Sequence, residues 1–366
     1  MIYLDHHASA PLCEAAREAL SRWYASPRAG NPSSVHAAGR AARAAMESAR
    51  AAVAAALDAA PRELVFTSGG TEAVDLAVRG VGGALRPTRV VVDAGAHPCA
   101  VAAAEALCAK DDIEFTFWTS SSGPPADLRA GDLVVASWAQ HETGAVAPVS
   151  AIGAAVTRAG AAMVVDAVQA WGKVDVCPGA AGALAVAISG HKVGAPSGVG
   201  ALWLAPGARV EQRLRGGAQE RGVRAGTENL SGVVGLGAAA SAVGARRASM
   251  PEAARRRDRI EAALVALGAE VTPYGAERVA TVTHVAFRDL AAQELVAALD
   301  LEGVCVSSGA ACSSGKAEPS ASITRLFPSE PWRARGALRV SLGPETTDAE
   351  VDAVVALLPR VVARFR

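Results

Sequence analysis

The chain has 366 residues, 51% hydrophobic and 20% charged, enough for one large or two medium globular domains with a sizeable core. Its 36 Lys+Arg balance 36 Asp+Glu for a formal net charge of zero, which argues against a nucleic-acid-binding or membrane-surface protein. Six cysteines, at 13, 99, 108, 177, 305 and 312, form no CxxC pair and no dense framework, so neither a metal site nor a disulfide scaffold is suggested. No apolar run is long enough to span a bilayer, and the start lacks the regions of a signal peptide, so a reducing cytoplasm is the expected location.

The N-terminus predicts a short arm or strand ending at Pro11, followed by helical spacing over 12–24. Gly30-Asn31-Pro32-Ser33-Ser34 is a turn cluster, with Ser34 placed to cap an Ala- and Arg-rich helix over 35–60 that Pro61 ends. From there strands at 63–67, 89–93, 114–118, 133–137 and 162–166 alternate with helices at 71–79, 99–110 and 152–159. That alternation predicts an α/β fold with a mostly parallel sheet covered on both faces. Apolar strands at 183–188 and 201–204 then flank a loop too rich in Gly and Pro to be a helix. After Gly244 the texture changes to a charged helix at 251–268, an apolar stretch at 279–287, a helix at 291–301, short strands near Val304 and Leu338, and a helix from Thr347. The expected organisation is a large domain over 12–244, with 1–11 and 245–366 forming a smaller α+β domain.

Lys192, in Ser189-Gly190-His191-Lys192, falls on the loop between those two buried strands. A lysine desolvated there loses its proton more readily and can form a Schiff base, although a plain surface lysine would have the same local sequence. Thr67-Ser68-Gly69-Gly70-Thr71-Glu72 follows a strand and opens a helix, so small residues and free N–H groups are available to a phosphate. It lacks the lysine of a P-loop. Asp166 ends an apolar strand, with Gln169 close behind; a carboxylate there can hold a pyridine nitrogen protonated, or simply cap a turn. His97, fixed by Pro98, can stack on a ring or move protons. Together these are the inventory of a pyridoxal phosphate site. Far downstream, Cys312 sits in a run of small residues from 306 to 315, a candidate nucleophile, whereas Cys305 on an apolar strand fits an inert thiol. Arg339, on a short strand, can grip a carboxylate. The polar Gly-rich run from Glu220 to Asn229 suits an anion or an interface.

Several stretches, taken in order, resemble the cysteine desulfurases of the NifS/IscS type in the class V aminotransferase family. They are Tyr3-Leu4-Asp5, Asn31 to His36, Thr67 to Glu72, Asp166 with Gln169, Ser189 to Lys192, Glu220 to Asn229, Cys312 with Glu318-Pro319-Ser320, and Arg339 to Gly343. The resemblance covers nearly the whole chain, and the stretch after Cys312 is similar to the longer loop of that group. It implies the fold type I architecture of PLP-dependent transferases, with the Cys loop on the smaller domain. It also implies pyridoxal 5'-phosphate as cofactor, L-cysteine as substrate, a homodimer and a sulfur-accepting partner protein. By resemblance, Lys192 would hold the cofactor as a Schiff base, Asp166 its pyridine nitrogen and Gln169 its ring oxygen. Gly70, Thr71, Ser189 and His191 would line its phosphate, and Thr227 would reach the phosphate of the other subunit. His97 would stack on the ring and move protons, Asn31 and Arg339 would hold the substrate, and Cys312 would attack the substrate sulfur and carry a persulfide. A related carbon–sulfur or carbon–selenium lyase, or an aminotransferase, is the alternative on the same scaffold. The family's pair of Asn before Glu-Thr-Gly is Gln140-His141 here, its Glu before the stacking His is Ala96, and the arm carries His6-His7. His141 would then either touch the ring oxygen of the cofactor or turn away and leave that oxygen to Gln169.

Overall fold

The computed structural model describes residues 1–26, 30–273, 275–309 and 319–366. In chain order the first elements are β1 (Ile2–Tyr3), α1 (Glu14–Ala25), α2 (Ala37–Ala55), β2 (Leu64–Thr67) and α3 (Gly70–Asp75). The helix of α3 runs on through a wide turn at Leu76–Val81 into α4 (Gly82–Leu85), so it is longer than the spacing over 71–79 predicts. Next come β3 (Arg89–Asp93), α5 (Pro98–Asp111), β4 (Glu114–Trp118), β5 (Asp132–Ser137), α6 (Val149–Arg158), β6 (Ala162–Asp166), β7 (Ala185–Ser189) and β8 (Gly200–Leu204). The C-terminal part holds α7 (Leu230–Ser241), α8 (Val243–Ala248), α9 (Met250–Ala266), β9 (Glu270–Val271), β10 (Val282–Ala286), α10 (Ala292–Leu301) and β11 (Val304–Cys305). It ends with α11 (Ala321–Leu326), α12 (Trp332–Arg335), β12 (Ala337–Ser341) and α13 (Asp348–Val362).

The seven-stranded sheet has the order β2-β8-β7-β6-β5-β3-β4. Strands β7, β6, β5, β3 and β4 are parallel, and β8 runs against both neighbours. The alternation of side chains divides its strands between two cores. Phe66, Val134, Met163, Val165, Val186 and Ile188 pack with residues of α2, α6 and α7. Val65, Val92, Leu133, Val164, Ala187 and Leu202 pack with Leu76, Val78, Ala104 and Leu107 on the other face. Burial on both sides explains why these strands are continuously apolar.

One local expectation changes. His36, not Ser34, caps α2: its Nδ1 accepts from the Gly39 N–H. The Gly-rich run over 230–241 is α7. Its glycines give it weak intrinsic propensity, but they admit close packing: a Cβ on Gly237 would stand 2.6 Å from Ala49 Cα of α2. Tertiary contact therefore makes this helix.

A three-stranded antiparallel sheet, β12-β10-β9, carries a third core with α9, α10 and α13. Leu4 of the N-terminal arm is fully buried in it, and β1 pairs in parallel with β11. The Ser341 N–H donates to Leu4 O at 2.8 Å, so the first residues are stitched to the last strand.

Candidate active site

At the C-terminal ends of the parallel strands lies a cavity of about 500 Å³. It brings together Gly70, Thr71, His97, His141, Asp166, Gln169, Ser189, His191, Lys192 and Arg339, ten of the residues expected from the sequence. Parallel register explains part of this convergence: Ser137 of β5 pairs with Asp166 of β6, and Asp166 with Ala187 of β7, so the ends of these strands lie level.

Lys192 follows β7 on a single tight turn and is half-buried. Its Nζ donates to His7 O at 2.5 Å and Ala8 O at 2.9 Å. The His7 carbonyl also accepts from Gln169 Nε2 at 2.8 Å, while Gln169 Oε1 accepts from the buried Lys173 at 3.0 Å. The N-terminal arm thus holds two cavity side chains through backbone carbonyls, which have no signature in a sequence.

Asp166 Oδ1 accepts from the Val168 N–H at 2.9 Å, and burial pushes its carboxyl above the usual range. A cationic partner would offset that penalty. Ser189 Oγ is buried with no hydrogen-bond partner among the described residues. It lies beside the start of α3: a Cβ on Gly70 would meet Val168 Cγ2 at 2.8 Å and Ser189 Cβ at 3.1 Å. An unsatisfied buried hydroxyl at a helix start needs an acceptor or donor. A half-buried, desolvated carboxylate at a neighbouring strand end favours a cation beside it. Pyridoxal phosphate supplies both, so the residues present fit it.

His97 begins α5 as its N-cap. Its Nδ1 accepts from the Cys99 N–H at 3.2 Å and lies 3.0 Å from Cys99 Sγ, which leaves the ring proton on Nε2. Burial, aided by His141 and Lys192 nearby, pulls its pKa down to about 3. The loop before it is fixed at both ends. Asp93 Oδ1 accepts from the Gly95 and Ser120 N–H groups, and Arg325 donates to the carbonyls of Ala94 and Ala96. His141 stands edge-on to His97, with centroids 5.1 Å apart, and its Nε2 is 3.4 Å from Glu142 Oε1. Burial pushes the Glu142 carboxyl up, but its bond to His141, the imidazoles of His141 and His284, and the Ser320 hydroxyl hold it well below the usual range.

Arg339 is buried, with Nη2 on Asp5 Oδ1 at 2.9 Å and Nη1 on His141 O at 3.2 Å. His191 Nδ1 is 3.4 Å from Ser9 Oγ, again on the arm. Asn31 and Thr227 do not line the cavity; both are exposed, and Asn31 Oδ1 accepts from the Ser33 N–H in its turn. Cys312 lies outside the described residues. Glu142, Cys99, Ser320 and Ser322 also line the cavity. Of these, the Glu beside His141 and the Ser after Pro319 lie in stretches already singled out, but nothing local marks their contact. Among the described residues no group of three His, Cys, Asp or Glu could hold a metal ion, and no helix is long and apolar enough to cross a membrane.

Residues 2–354 match the family described as Aminotransferase class-V. A cysteine desulfurase of Cereibacter sphaeroides is 38% identical over 383 residues, covering 100% of this chain and 96% of the relative. Among solved structures, a NifS-like protein has a TM-score of 0.87 at 25% identity, covering 99% of each chain. SspA in complex with cysteine has a TM-score of 0.78 at 26% identity, covering 95% of this chain and 100% of that one. The chain belongs to the class V aminotransferase family, on the fold type I scaffold. Within that family it stands with the cysteine desulfurases of the NifS/IscS type.

Proposed function

We propose that the protein is a pyridoxal phosphate-dependent cysteine desulfurase that takes the sulfur of L-cysteine onto Cys312, releases L-alanine and passes the sulfur to an acceptor protein. The observation that carries this reading is the convergence of Lys192, Asp166, His97 and Arg339 on one cavity. The cofactor, when bound, supplies an electron sink for the substrate carbons. The rest of the work falls to side chains. Lys192 would hold the cofactor, leaving its arm carbonyls, and would move the substrate's α-proton. Asp166 would keep the ring nitrogen protonated, and Gln169 would serve the ring oxygen. Ser189, Gly70, Thr71 and His191 would hold the phosphate, with the exposed Thr227 reaching the site of a second copy in a homodimer. His97, neutral at physiological pH, can stack on the ring and exchange a proton at Nε2. Arg339 would fix the substrate carboxylate. The Cys312 thiolate would attack the substrate sulfur, the carbon–sulfur bond would break with its electrons returning to carbon, and a proton there would complete alanine. Residues 12–244 would form the cofactor domain, and 1–11 with 245–366 the domain carrying Cys312, in a reducing cytoplasm.

The test is to supply purified protein with L-cysteine and excess dithiothreitol, which reduces the persulfide to sulfide and is itself oxidised to its disulfide, and to measure alanine and sulfide, with selenocysteine compared. Equal yields of alanine and sulfide are expected from wild type, and no sulfide from Cys312→Ser. Borohydride reduction should leave the pyridoxyl group on Lys192. Undiminished sulfide from Cys312→Ser, or the adduct on Lys173, would overturn the assignment.

A further inference from the structure

Beside the cavity, a buried lysine is bonded to one of the lining side chains rather than to a carboxylate. Gln169 and Lys173 sit on the run of turns that follows β6, where the Trp171 N–H donates to Ala167 O and the Lys173 N–H to Ala170 O, each at 2.9 Å. Trp171 between them is fully buried, which holds the run against the core, and Lys173 is only 4% exposed. A lysine this buried is ordinarily paired with an opposite charge. Among the described residues, Lys173 Nζ instead donates to Gln169 O at 3.1 Å and to Gln169 Oε1 at 3.0 Å. Burial, with the cations Arg246, Lys192 and Arg339 nearby, pushes its pKa well below the usual lysine value. Two N–H donations are open to the amine and the ammonium alike. The other end of the amide is fixed as well. Gln169 Nε2 donates to His7 O at 2.8 Å, and a carbonyl can only accept. A donor on the oxygen side and an acceptor on the nitrogen side set which way round the amide stands. Gln169 is buried and lines the cavity, and the second hydrogen of its Nε2 is left for a ligand there.

We propose that Lys173 is a positioning residue: it holds Gln169 Oε1 so that the amide offers an N–H, and not its oxygen, to the ring oxygen of the cofactor. The proposal rests on the role of Gln169 at that ring oxygen. Without Lys173, Oε1 is a buried acceptor that has lost its donor, and the amide is drawn towards other donors at the cavity, Lys192 among them. An N–H at the ring oxygen favours its anionic form. The imine made by Lys192 then loses its proton at a lower pH than it would without that donor.

The experiment titrates the cofactor's absorbance against pH in holoenzyme of wild type, Lys173→Met, Gln169→Leu and the two combined. Methionine keeps an unbranched, flexible stem and removes the donor. Lys173→Met should move the titration midpoint by about one pH unit in the alkaline direction, the equivalent of one hydrogen bond. Gln169→Leu should move it the same way by at least as much, with cofactor content unchanged in both. Loss of a nearby cation would also raise the midpoint, but that effect would persist when Gln169 is replaced. An action through the amide cannot, so the combined variant should titrate with Gln169→Leu alone. Lys173→Leu takes the place of Lys173→Met if the latter does not fold. A wild-type midpoint in the Lys173 variant, or an equal further shift when it is added to Gln169→Leu, would overturn the proposal. A wild-type midpoint in Gln169→Leu would overturn the ring-oxygen role of Gln169, and the proposal with it.

Discussion

Arg339→Ala should cost the protein its grip on the substrate carboxylate without costing it the cofactor. Arg339 is 3% exposed on β12, where it pairs with His284 of β10, and its guanidinium is only partly engaged. One nitrogen donates to Asp5 and another to the His141 carbonyl, while Nε is buried with no partner among the described residues. Unspent donors in a buried fork are what a bidentate carboxylate requires. Hydrogen bonds to charged groups contribute about 1.5–3 kcal/mol each, so losing the fork should weaken cysteine binding by about 2 to 3 kcal/mol, roughly 30- to 150-fold. Asp5 is stranded by the same change, but its side chain is 18% exposed and water can reach it. The structural penalty should therefore stay below the 3–5 kcal/mol, roughly, of breaking a fully buried pair. The assay is a titration of the cofactor's absorbance with L-cysteine and, separately, with cysteamine, which has no carboxylate. Wild type and variant should bind cysteamine alike and differ only towards cysteine. Equal losses for both ligands, or loss of cofactor with cysteine affinity intact, would show that Arg339 only holds the arm in place.

Acid should destabilise the fold through its buried and half-buried imidazoles. His6, His191 and His284 are held down to about 4 and His97 to about 3, burial being the first cause for each. A histidine whose folded pKa lies below its unfolded value contributes stability that is complete above about pH 6.5 and is lost as pH falls towards about 4, at up to roughly 1.4 kcal/mol per pH unit for each group. The urea midpoint should drop between pH 7.5 and 5, and a flat profile would refute the assignment. His141, edge-on to His97 and facing Glu142, should make the cofactor's spectrum more dependent on pH than an Asn would. Superimposable absorbance titrations of wild type and His141→Asn would show that it is uncoupled from the ring.

Local sequence carried the framework of this protein. The continuously apolar strands, the small residues of Gly69-Gly70-Thr71, the Asp that ends β6 and the Lys after β7 are all recognisable from their neighbours, because burial and turn geometry act on adjacent residues. Ten of the expected site residues consequently meet in one cavity. What only tertiary structure decided lies between residues far apart in the chain. Asp5 finds Arg339 across 334 positions, and Ser320 and Ser322 find Glu142 across 178 and 180. The helix α7 forms despite the weak intrinsic propensity of its glycines, because close packing against α2 outweighs propensity. The carbonyls of His7 and Ala8 that receive Lys192 could not be foreseen at all, since every residue has such a carbonyl and only the path of the arm brings these two to the cavity.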